Sequence, residues 1–285
     1  MPTSKSPWSM MALLALAPAL FGQWPDYPTK GVPMKDGKPD LAAPAPRMPD
    51  GKADFSGIWE NGRGAPAPNS AGQTIGPPVA AAPPDPAGPP APTFGNIGAG
   101  FKEGLPLRPW AAELLKERKA NFSKDNPDAH CLPMGLMQYH MHPQPRKMLQ
   151  NRDLIVIIYE ANSGLRQIYL DGRKLPSTDS DPWWFGYSVG HWEDNDTLVV
   201  ETTNFRDLGW LDVNGSPLTT SGKFIERFPR PSFGTLEIQV TIDDPKAYTA
   251  PFTVRWNQRI ALNQEMIEFI CQENEQDAPH LVGGK

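Results

Sequence analysis

A succession of short apolar segments in the second half of the chain constrains the fold most. The segments are rich in β-branched and aromatic residues, and turn residues such as Asn, Asp, Gly and Pro separate them. Helical periodicity is absent between them, so the crossover helices that a parallel sheet needs are missing. The pattern predicts a mostly β fold, an antiparallel meander of about nine strands that closes as a calycin-like β-barrel in preference to a β-sandwich. The predicted strands cover residues 55–60, 154–160, 165–170, 184–192, 197–205, 223–228, 235–242, 252–260 and 265–272.

The first half of the chain has a different composition. Most of the 34 prolines lie there, and residues 64–95 consist mainly of Pro, Ala and Gly, which predicts a polyproline-like or disordered insertion. One short helix is predicted at 109–122, where Pro stands early and Ala, Glu, Leu and Lys follow. We therefore expect an extended Pro/Gly-rich region with one strand at 24–104, followed by a β-barrel domain with an N-terminal helix at 105–285.

The first residues are typical of a secretion signal. Lys5 precedes a short apolar segment, residues 10–22, which is too short to span a bilayer. We expect a signal peptide over residues 1–23 and a periplasmic or secreted mature protein, with an uncleaved membrane anchor as the alternative. The net charge of −5 and the lack of a basic stripe argue against nucleic acid or an anionic membrane as partner.

The chain contains two cysteines, Cys131 and Cys271, which are far apart in the sequence. In an oxidising compartment such a pair most often forms a disulfide, and neither residue lies in a CxxC or a recognisable catalytic motif. The sequence therefore predicts one disulfide that ties the middle of the chain to its last predicted strand.

Residues 183–205, WWFGYSVGHWEDNDTLVVETTNF, predict a hairpin with a candidate site. Pairing Trp192 with Thr197 across the turn places Glu201 opposite Ser188, between two glycines. Glycine in a strand often marks the close approach of a ligand or of backbone, so a carboxylate beside it indicates a polar site in a barrel mouth. A tightly curved strand with a solvated or salt-bridged Glu201 is the alternative.

Aromatic and polar residues beside this hairpin form the predicted site. The residues expected to bind a ligand are Trp184, Tyr187, Ser188, Trp192, Arg166 and Arg227. For catalysis, Glu201 or Glu160 would act as acid and base with His191, while an arginine holds developing negative charge. Structural ion pairs, such as Glu226 or Glu201 with an arginine, are the alternative.

His140 and His142 stand at i and i+2 in the stretch MQYHMHPQP. In an extended chain both imidazoles face the same way, as a metal site requires, and cupin-like metal sites resemble this HxH. Pro and Arg follow here where those sites add a glutamate, so no metal and no cofactor are expected. A site would form only if the fold brought His191 or Glu160 close. The familiar nucleotide-binding and serine-hydrolase motifs are absent.

Two resemblances accompany these patterns. The GIW of residues 57–59 is similar to the GxW of the first strand in lipocalins, where the tryptophan closes the barrel base against an arginine from a late strand. This resemblance implies that Arg255 or Arg259 takes that part, although the Pro-rich insertion departs from the lipocalin pattern. Residues 128–283 resemble a group of uncharacterised exported bacterial proteins, on stretches such as GYSVGHW, DTLVVET and DDPKAYT. The second resemblance implies export and a shared β domain.

Three functions are compatible with these observations. The first is an exported β-barrel that binds a small oxygenated or aromatic molecule. The alternative is a metal-independent hydrolase, lyase or isomerase with a carboxylate/His pair in the barrel, and the second alternative is an interaction protein that uses its Pro-rich segment. An apolar cavity would favour the binding function. Carboxylates and a histidine that point into the barrel would favour an enzyme, and a filled barrel would favour an interaction protein.

Overall fold

The computed structural model describes residues 27–62 and 96–273 and consists mainly of β-strands. The predicted signal peptide and the Pro-rich insertion at 64–95 lie outside these residues. The strands are β1 (Met34–Lys35), β2 (Lys38–Pro39), β3 (Gly57–Asn61), β4 (Arg146–Gln150), β5 (Leu154–Tyr159), β6 (Leu165–Tyr169), β7 (Tyr187–Trp192), β8 (Thr197–Thr203), β9 (Gly209–Trp210), β10 (Pro217–Leu218), β11 (Lys223–Pro229), β12 (Thr235–Asp243) and β13 (Phe252–Ile260).

Nine of these strands form a closed barrel, in the order β11-β12-β13-β3-β4-β5-β6-β7-β8, and β8 pairs back to β11. All neighbours are antiparallel except β6 and β7, which are parallel and share a short ladder. The predicted barrel is therefore confirmed, with one parallel pair that interrupts the meander. The barrel includes β3, so it draws on residues from both sides of the Pro-rich segment.

Two strand predictions differ from the structure. The strand β4 was missed because Arg, Lys and Gln occupy three of its five positions, yet Arg146 points into the barrel and is buried. Residues 265–272 form no strand. Ile267 and Ile270 of that segment are exposed, so its apolar residues do not mark a buried strand face.

The barrel interior is filled mainly by apolar side chains that alternate with outward-facing polar ones, as expected for strands with one buried face. In β13, for example, alternate residues from Phe252 to Ile260 are buried. The interior apolar residues include Met148, Ile155, Ile157, Ile168, Leu198, Val200, Phe224, Phe228, Leu236, Ile238, Val240, Ile242, Val254 and Trp256.

Two α-helices accompany the barrel. Helix α1 (Pro109–Ala120) lies where it was predicted, with proline in its first turn. Helix α2 (Leu136–Met141) was missed because it has only six residues, and all of them are buried. Short 3₁₀ turns occur at Ile97–Gly100, Pro127–His130 and Ala161–Ser163. No helix in the described ranges is long and apolar enough to cross a membrane.

Side chains from the barrel wall satisfy the C-terminal carbonyls of α2. Arg146 donates from Nη1 to the carbonyl of His140 at 2.7 Å and from Nη2 to that of His142 at 2.8 Å. Asn61 donates to the carbonyl of Met141 at 2.7 Å. A helix end leaves such carbonyls without intrahelical partners, and a buried one needs substitutes. These bonds fix α2 inside the barrel wall.

Cys131 and Cys271 form the predicted disulfide. Their sequence separation of 140 residues makes the closed loop long. A cross-link of this kind stabilises a fold by roughly 2–4 kcal/mol, mainly by constraining the unfolded chain. The bridge joins the segment before α2 to the irregular C-terminal segment.

The tryptophan of the GxW stretch packs under an arginine, but a different one from those expected. The guanidinium of Arg230, just after β11, lies 4.7 Å from the ring centre of Trp59. Arg255 and Arg259 occupy the outward-facing positions of β13, and Arg259 pairs with Glu60 at 3.3 Å. The assignment of Arg255 or Arg259 was wrong because strand alternation turns both away from the interior.

Candidate functional site

The β7–β8 hairpin pairs Trp192 with Leu198, one residue beyond the expected partner Thr197. The turn closes between Glu193 and Thr197, where the N–H of Glu193 donates to the Thr197 carbonyl at 3.0 Å. The Asp194 carboxylate accepts the Thr197 N–H at 2.6 Å and so stabilises this closure. Because side chains alternate, a one-residue shift exchanges the faces of β8 relative to β7. The predicted register is wrong.

The correction moves Glu201 to the outside of the barrel. Ser188 faces Thr202 on the inner side, whereas Glu201 lies opposite Val189 on the outer side. Glu201 is 38% exposed and forms an ion pair with Lys223. The prediction that Glu201 lies beside Ser188 in the barrel mouth is therefore wrong, and the salt-bridged alternative describes its position.

The other two acid–base candidates also lie apart from the interior. His191 is exposed on the outer face, opposite Val199. Glu160 is buried just after β5, where its carboxylate accepts the backbone N–H of Ile267 at 3.0 Å. Since His191 points outward, these residues place no carboxylate–histidine pair inside the barrel.

The two glycines of the hairpin do not leave a groove. A Cβ added at Gly190 would lie 2.7 Å from Cδ2 of Leu170, and one at Gly186 would lie 2.6 Å from Cγ2 of Thr202. Gly186 also has a φ of +67°, a conformation that other residues rarely adopt. Neighbouring side chains and backbone, rather than a ligand, approach these positions. The space beside these glycines, where a ligand was one expectation, is therefore filled by the protein itself.

A buried polar group occupies the barrel interior instead. We call it the central cluster, and its members are His140, Arg166, Ser188, Thr202 and Glu226. Arg166 forms an ion pair with Glu226 and also donates from Nη1 to Glu226 Oε1 at 3.0 Å. Arg166 donates to the hydroxyl oxygens of Ser188 at 3.1 Å and Thr202 at 3.0 Å. His140 Nε2 lies 2.7 Å from Glu226 Oε1.

The surroundings fix the charges of the cluster. Burial raises the pKa of Glu226, but Arg166 and His140 outweigh it and lower that pKa to about 2. Burial lowers the pKa of His140, which outweighs the opposing effect of Glu226. Glu226 is therefore ionised and His140 neutral at pH 7. Arg166 balances the carboxylate, so the cluster contains one ion pair.

The neutral imidazole of His140 has a defined tautomer. An ionised Glu226 only accepts hydrogen bonds, so His140 Nε2 must carry the proton and donate it. The 3.2 Å contact between Arg166 Nη1 and the same nitrogen then joins two donors and is no hydrogen bond. His140 Nδ1 is left as a buried acceptor without a partner among the described residues.

The central cluster joins helix α2 to four barrel strands. His140 comes from α2, and the other members come from β6 (Arg166), β7 (Ser188), β8 (Thr202) and β11 (Glu226). Its members are at most 1% exposed, so they are almost entirely shielded from solvent. The structural ion pair of Glu226 with an arginine, which was stated as an alternative, is present here as Glu226–Arg166. The role of His140 was missed because the sequence offered no signal for a helix of six residues.

The histidine pair does not have the geometry of an extended HxH. His140 is the fifth residue of α2, whereas His142 follows the helix and its Nδ1 accepts the N–H of Gln144 at 3.3 Å. The assumption of an extended chain was therefore wrong. Within residues 27–62 and 96–273, no group of three or more His, Cys, Asp or Glu side chains is placed to hold a metal ion.

Four of the six expected ligand-binding residues meet in one small cleft. The cleft opens between β6 and β7, has a volume of about 220 Å³, and is called the hairpin cleft. The other two residues lie elsewhere, since the Trp192 ring packs 5.5 Å from that of Phe55 and Arg227 pairs with Glu193 on the outer surface. The members that line the cleft are Arg166, Trp184, Tyr187 and Ser188.

A larger pocket lies next to the hairpin cleft, at the end of the barrel where β8 finishes. We call it the barrel-end pocket, and its volume is about 580 Å³. Trp184 lines both the pocket and the cleft. The apolar part of the pocket wall comprises Leu114, Met134, Leu136, Trp184, Phe205, Leu208, Trp210 and Leu218.

Two arginines lie against the tryptophans of this pocket. The Arg118 guanidinium lies 4.2 Å from the ring centre of Trp210 and donates to the carbonyls of Gly215 and Leu208 at 2.9 and 3.0 Å. The Arg206 guanidinium lies 4.8 Å from the ring centre of Trp184. Arg206 is exposed, and its side chain forms no hydrogen bond or ion pair with another described residue.

Trp184 is the one residue of this pocket that was predicted as a site residue from the sequence. Its walls come from α1, the segment before α2, and the residues around β9 and β10, which are far apart in the sequence. The aromatic dipeptide at 183–184 was the sequence feature that indicated this part of the surface. The three carboxylates of the lining are Glu117, Asp125 and Asp207.

Comparison with known proteins adds no family. No protein-family model matches the chain, and no curated protein matches it significantly.

Proposed function

We propose that the protein is an exported β-barrel that binds a small aromatic, oxygen-bearing molecule in the barrel-end pocket. The observation that carries this proposal is a concave pocket of about 580 Å³ with two tryptophans in its wall. Ligand sites typically have roughly 300–1,000 Å³, apolar walls and a few convergent polar groups. The hairpin cleft is smaller than this range.

The chemistry of the pocket favours a planar ring with an oxygen substituent. Trp184 and Phe205 offer an apolar surface against which a ring would pack. The guanidinium of Arg206, which has no hydrogen-bond partner among the described residues, lies beside Trp184 and would bind the ligand oxygen. Arg118 serves the wall itself, because backbone carbonyls and the ring of Trp210 already occupy it.

The other two functions have less support. The carboxylate–histidine contact inside the barrel, between Glu226 and His140, is closed to solvent by the surrounding core. A filled barrel is also what an interaction protein would have. The barrel-end pocket is the feature that favours small-molecule binding over both alternatives.

The proposal is tested by a thermal-shift screen with phenols, aromatic acids and aromatic sugars, followed by calorimetry on the best ligand. Trp184→Ala and Arg206→Gln should each weaken binding by about tenfold or more, because they remove the ring surface and the donor. Trp183→Ala is the matched control, since the neighbouring Trp183 lines only the hairpin cleft. Equal loss in Trp183→Ala would place the site in the hairpin cleft and contradict the proposal.

Export is tested separately. The mature protein recovered from the periplasm or medium should begin near residue 24, as N-terminal sequencing would show. A protein that keeps its first residues and stays with the membrane would contradict export as a soluble form.

A further inference from the structure

A second pocket lies at the opposite end of the barrel, where β8 begins and β11 ends. It has a volume of about 660 Å³, and we call it the base pocket. Its lining includes the start of β3, the end of β13 and the turn between β11 and β12. The charged residues of the lining are Lys30, Asp54, Lys147, Arg230 and Glu265.

Arg230 in this pocket is a buried cation with free donors. It is 1% exposed, and it donates from Nη2 to the carbonyl of Phe233 at 3.2 Å. Its Nε and Nη1 have no hydrogen-bond partner among the described residues. Trp59 covers one side of the guanidinium, and the indole N–H of Trp59 is already bound to the carbonyl of Phe55 at 2.9 Å.

No carboxylate of the described residues forms an ion pair with Arg230. Asp54 lies in the same pocket, but its carboxylate accepts the N–H of Ser56 at 2.8 Å and forms no ion pair with Arg230. Burial lowers the pKa of Arg230 to about 10, with Asp54 opposing the shift, so Arg230 is charged at pH 7. Burying a charge without pairing it is costly, and removal of the unpaired donors from water adds to that cost.

We propose that the base pocket binds a small organic monocarboxylate, with the carboxylate group on Arg230. Both nitrogens are buried behind the pocket wall in this structure, so a carboxylate would have to displace part of that wall. It would then accept hydrogen bonds from Nε–H and Nη1–H and neutralise the buried charge. The apolar body of the ligand would lie against Ile58, Phe233 and Ile260, which line the same pocket. This site is separate from the barrel-end pocket and does not rest on the function proposed for it.

The charge of the lining selects a monoanion. Lys147 is paired with Glu265, with Nζ 2.9 Å from each carboxylate oxygen, so these two charges cancel. The positive charges of Lys30 and Arg230 and the negative charge of Asp54 then leave the lining with one net positive charge. One carboxylate balances it, whereas a phosphate dianion would leave excess negative charge in a partly buried site.

The experiment uses benzoate, its neutral analogue benzamide, and inorganic phosphate as probes on the full chain. The reporter is the ¹⁵N indole resonance of Trp59, assigned with a Trp59→Phe variant. Benzoate should shift this resonance and bind at least about tenfold more tightly than either benzamide or phosphate. An unmoved Trp59 resonance, or equal binding of benzamide, would overturn the proposal, and tighter binding of phosphate would overturn the monoanion assignment.

Four variants separate this site from other sites for benzoate. Arg230→Gln should weaken benzoate binding by about 30-fold or more, whereas Arg227→Gln, at a half-exposed arginine of β11, should leave it unchanged. Lys30→Gln should weaken benzoate binding less than Arg230→Gln does. Because the Lys30 side chain is exposed, this variant should fold, and it tests the site if Arg230→Gln does not fold. Trp184→Ala should leave benzoate binding at Trp59 unchanged. Loss of the Trp59 shift in Trp184→Ala alone would contradict an independent base site.

Discussion

At the scale of single residues, two glutamates of the barrel differ in what surrounds them. Glu226 is fully buried and is held by Arg166 and His140, whereas Glu201 is half-exposed and pairs with Lys223. A buried ion pair is weak evidence of net stabilisation, but removal of one partner leaves the other charge uncompensated. An exposed pair contributes about 0–1 kcal/mol.

Glu226→Gln should therefore lower the free energy of unfolding by about 3–5 kcal/mol, because Arg166 would remain buried and charged. Glu201→Gln is the matched control and should change it by less than about 1 kcal/mol. Urea titration followed by tryptophan fluorescence measures both. Similar effects of the two substitutions would contradict the assignment of Glu226 to the central cluster.

The central cluster should also make the fold sensitive to acid. Burial lowers the pKa of His140 in the folded state, so His140 contributes stability that is present above its unfolded pKa of 6.5 and is lost as pH falls below it. The folded pKa of Glu226 is also lowered, to about 2, so its contribution is lost between its unfolded pKa of 4.5 and about 2. Protonation of His140 and protonation of Glu226 therefore both lower the free energy of unfolding as the pH falls.

His140→Gln should remove the first of these losses. The urea midpoint of the wild-type protein should fall more steeply between pH 7.5 and pH 5 than that of the variant. Parallel curves for the two proteins would show that His140 has the same pKa in the folded and unfolded states, which would contradict a lowered folded pKa.

At the scale of elements, helix α2 depends on the barrel wall more than on its own sequence. Isolated helices this short are unstable in water, and here Arg146 and Asn61 complete its C-terminal hydrogen bonds. Arg146→Met should leave these buried carbonyls without their donors and destabilise the protein by about 2–4 kcal/mol. Hydrogen exchange should show that the amides of α2 lose protection first, and uniform loss over all strands would contradict a local role.

The elements also show what the sequence could reveal. Short apolar segments between turn residues predicted every barrel strand except β4, where Arg146, Lys147 and Gln150 break the pattern. The hairpin was found, but its register was off by one because Asp194 binds the N–H of Thr197 and fixes a different turn closure. The closure of this turn sets which face carries Glu201, and composition cannot show it.

At the scale of the whole molecule, the barrel is filled in the middle and has a pocket at each end. Each pocket is assembled from segments that are distant in the sequence, so only isolated members such as Trp184 were recognisable beforehand. The Cys131–Cys271 disulfide acts at the same scale, because it joins the segment that lines the barrel-end pocket to the C-terminal segment.

Thiol titration of the denatured, unreduced protein should find no free thiol, since both cysteines are in the bridge. Replacing both cysteines by serine should lower the free energy of unfolding by roughly 2–4 kcal/mol. Calorimetric unfolding measures the second effect. Two titratable thiols in the protein would contradict the bridge.

The central claim is that a small molecule binds at the barrel end and not inside the barrel. The ¹⁵N indole spectrum of the protein, recorded with the ligand found by the screen, tests it most directly. The indole resonances of Trp184 and Trp210 should move on binding, because both rings line the pocket, and that of Trp256, inside the barrel, should not. A shift of Trp256 with Trp184 and Trp210 unmoved would place the ligand in the interior and contradict the account.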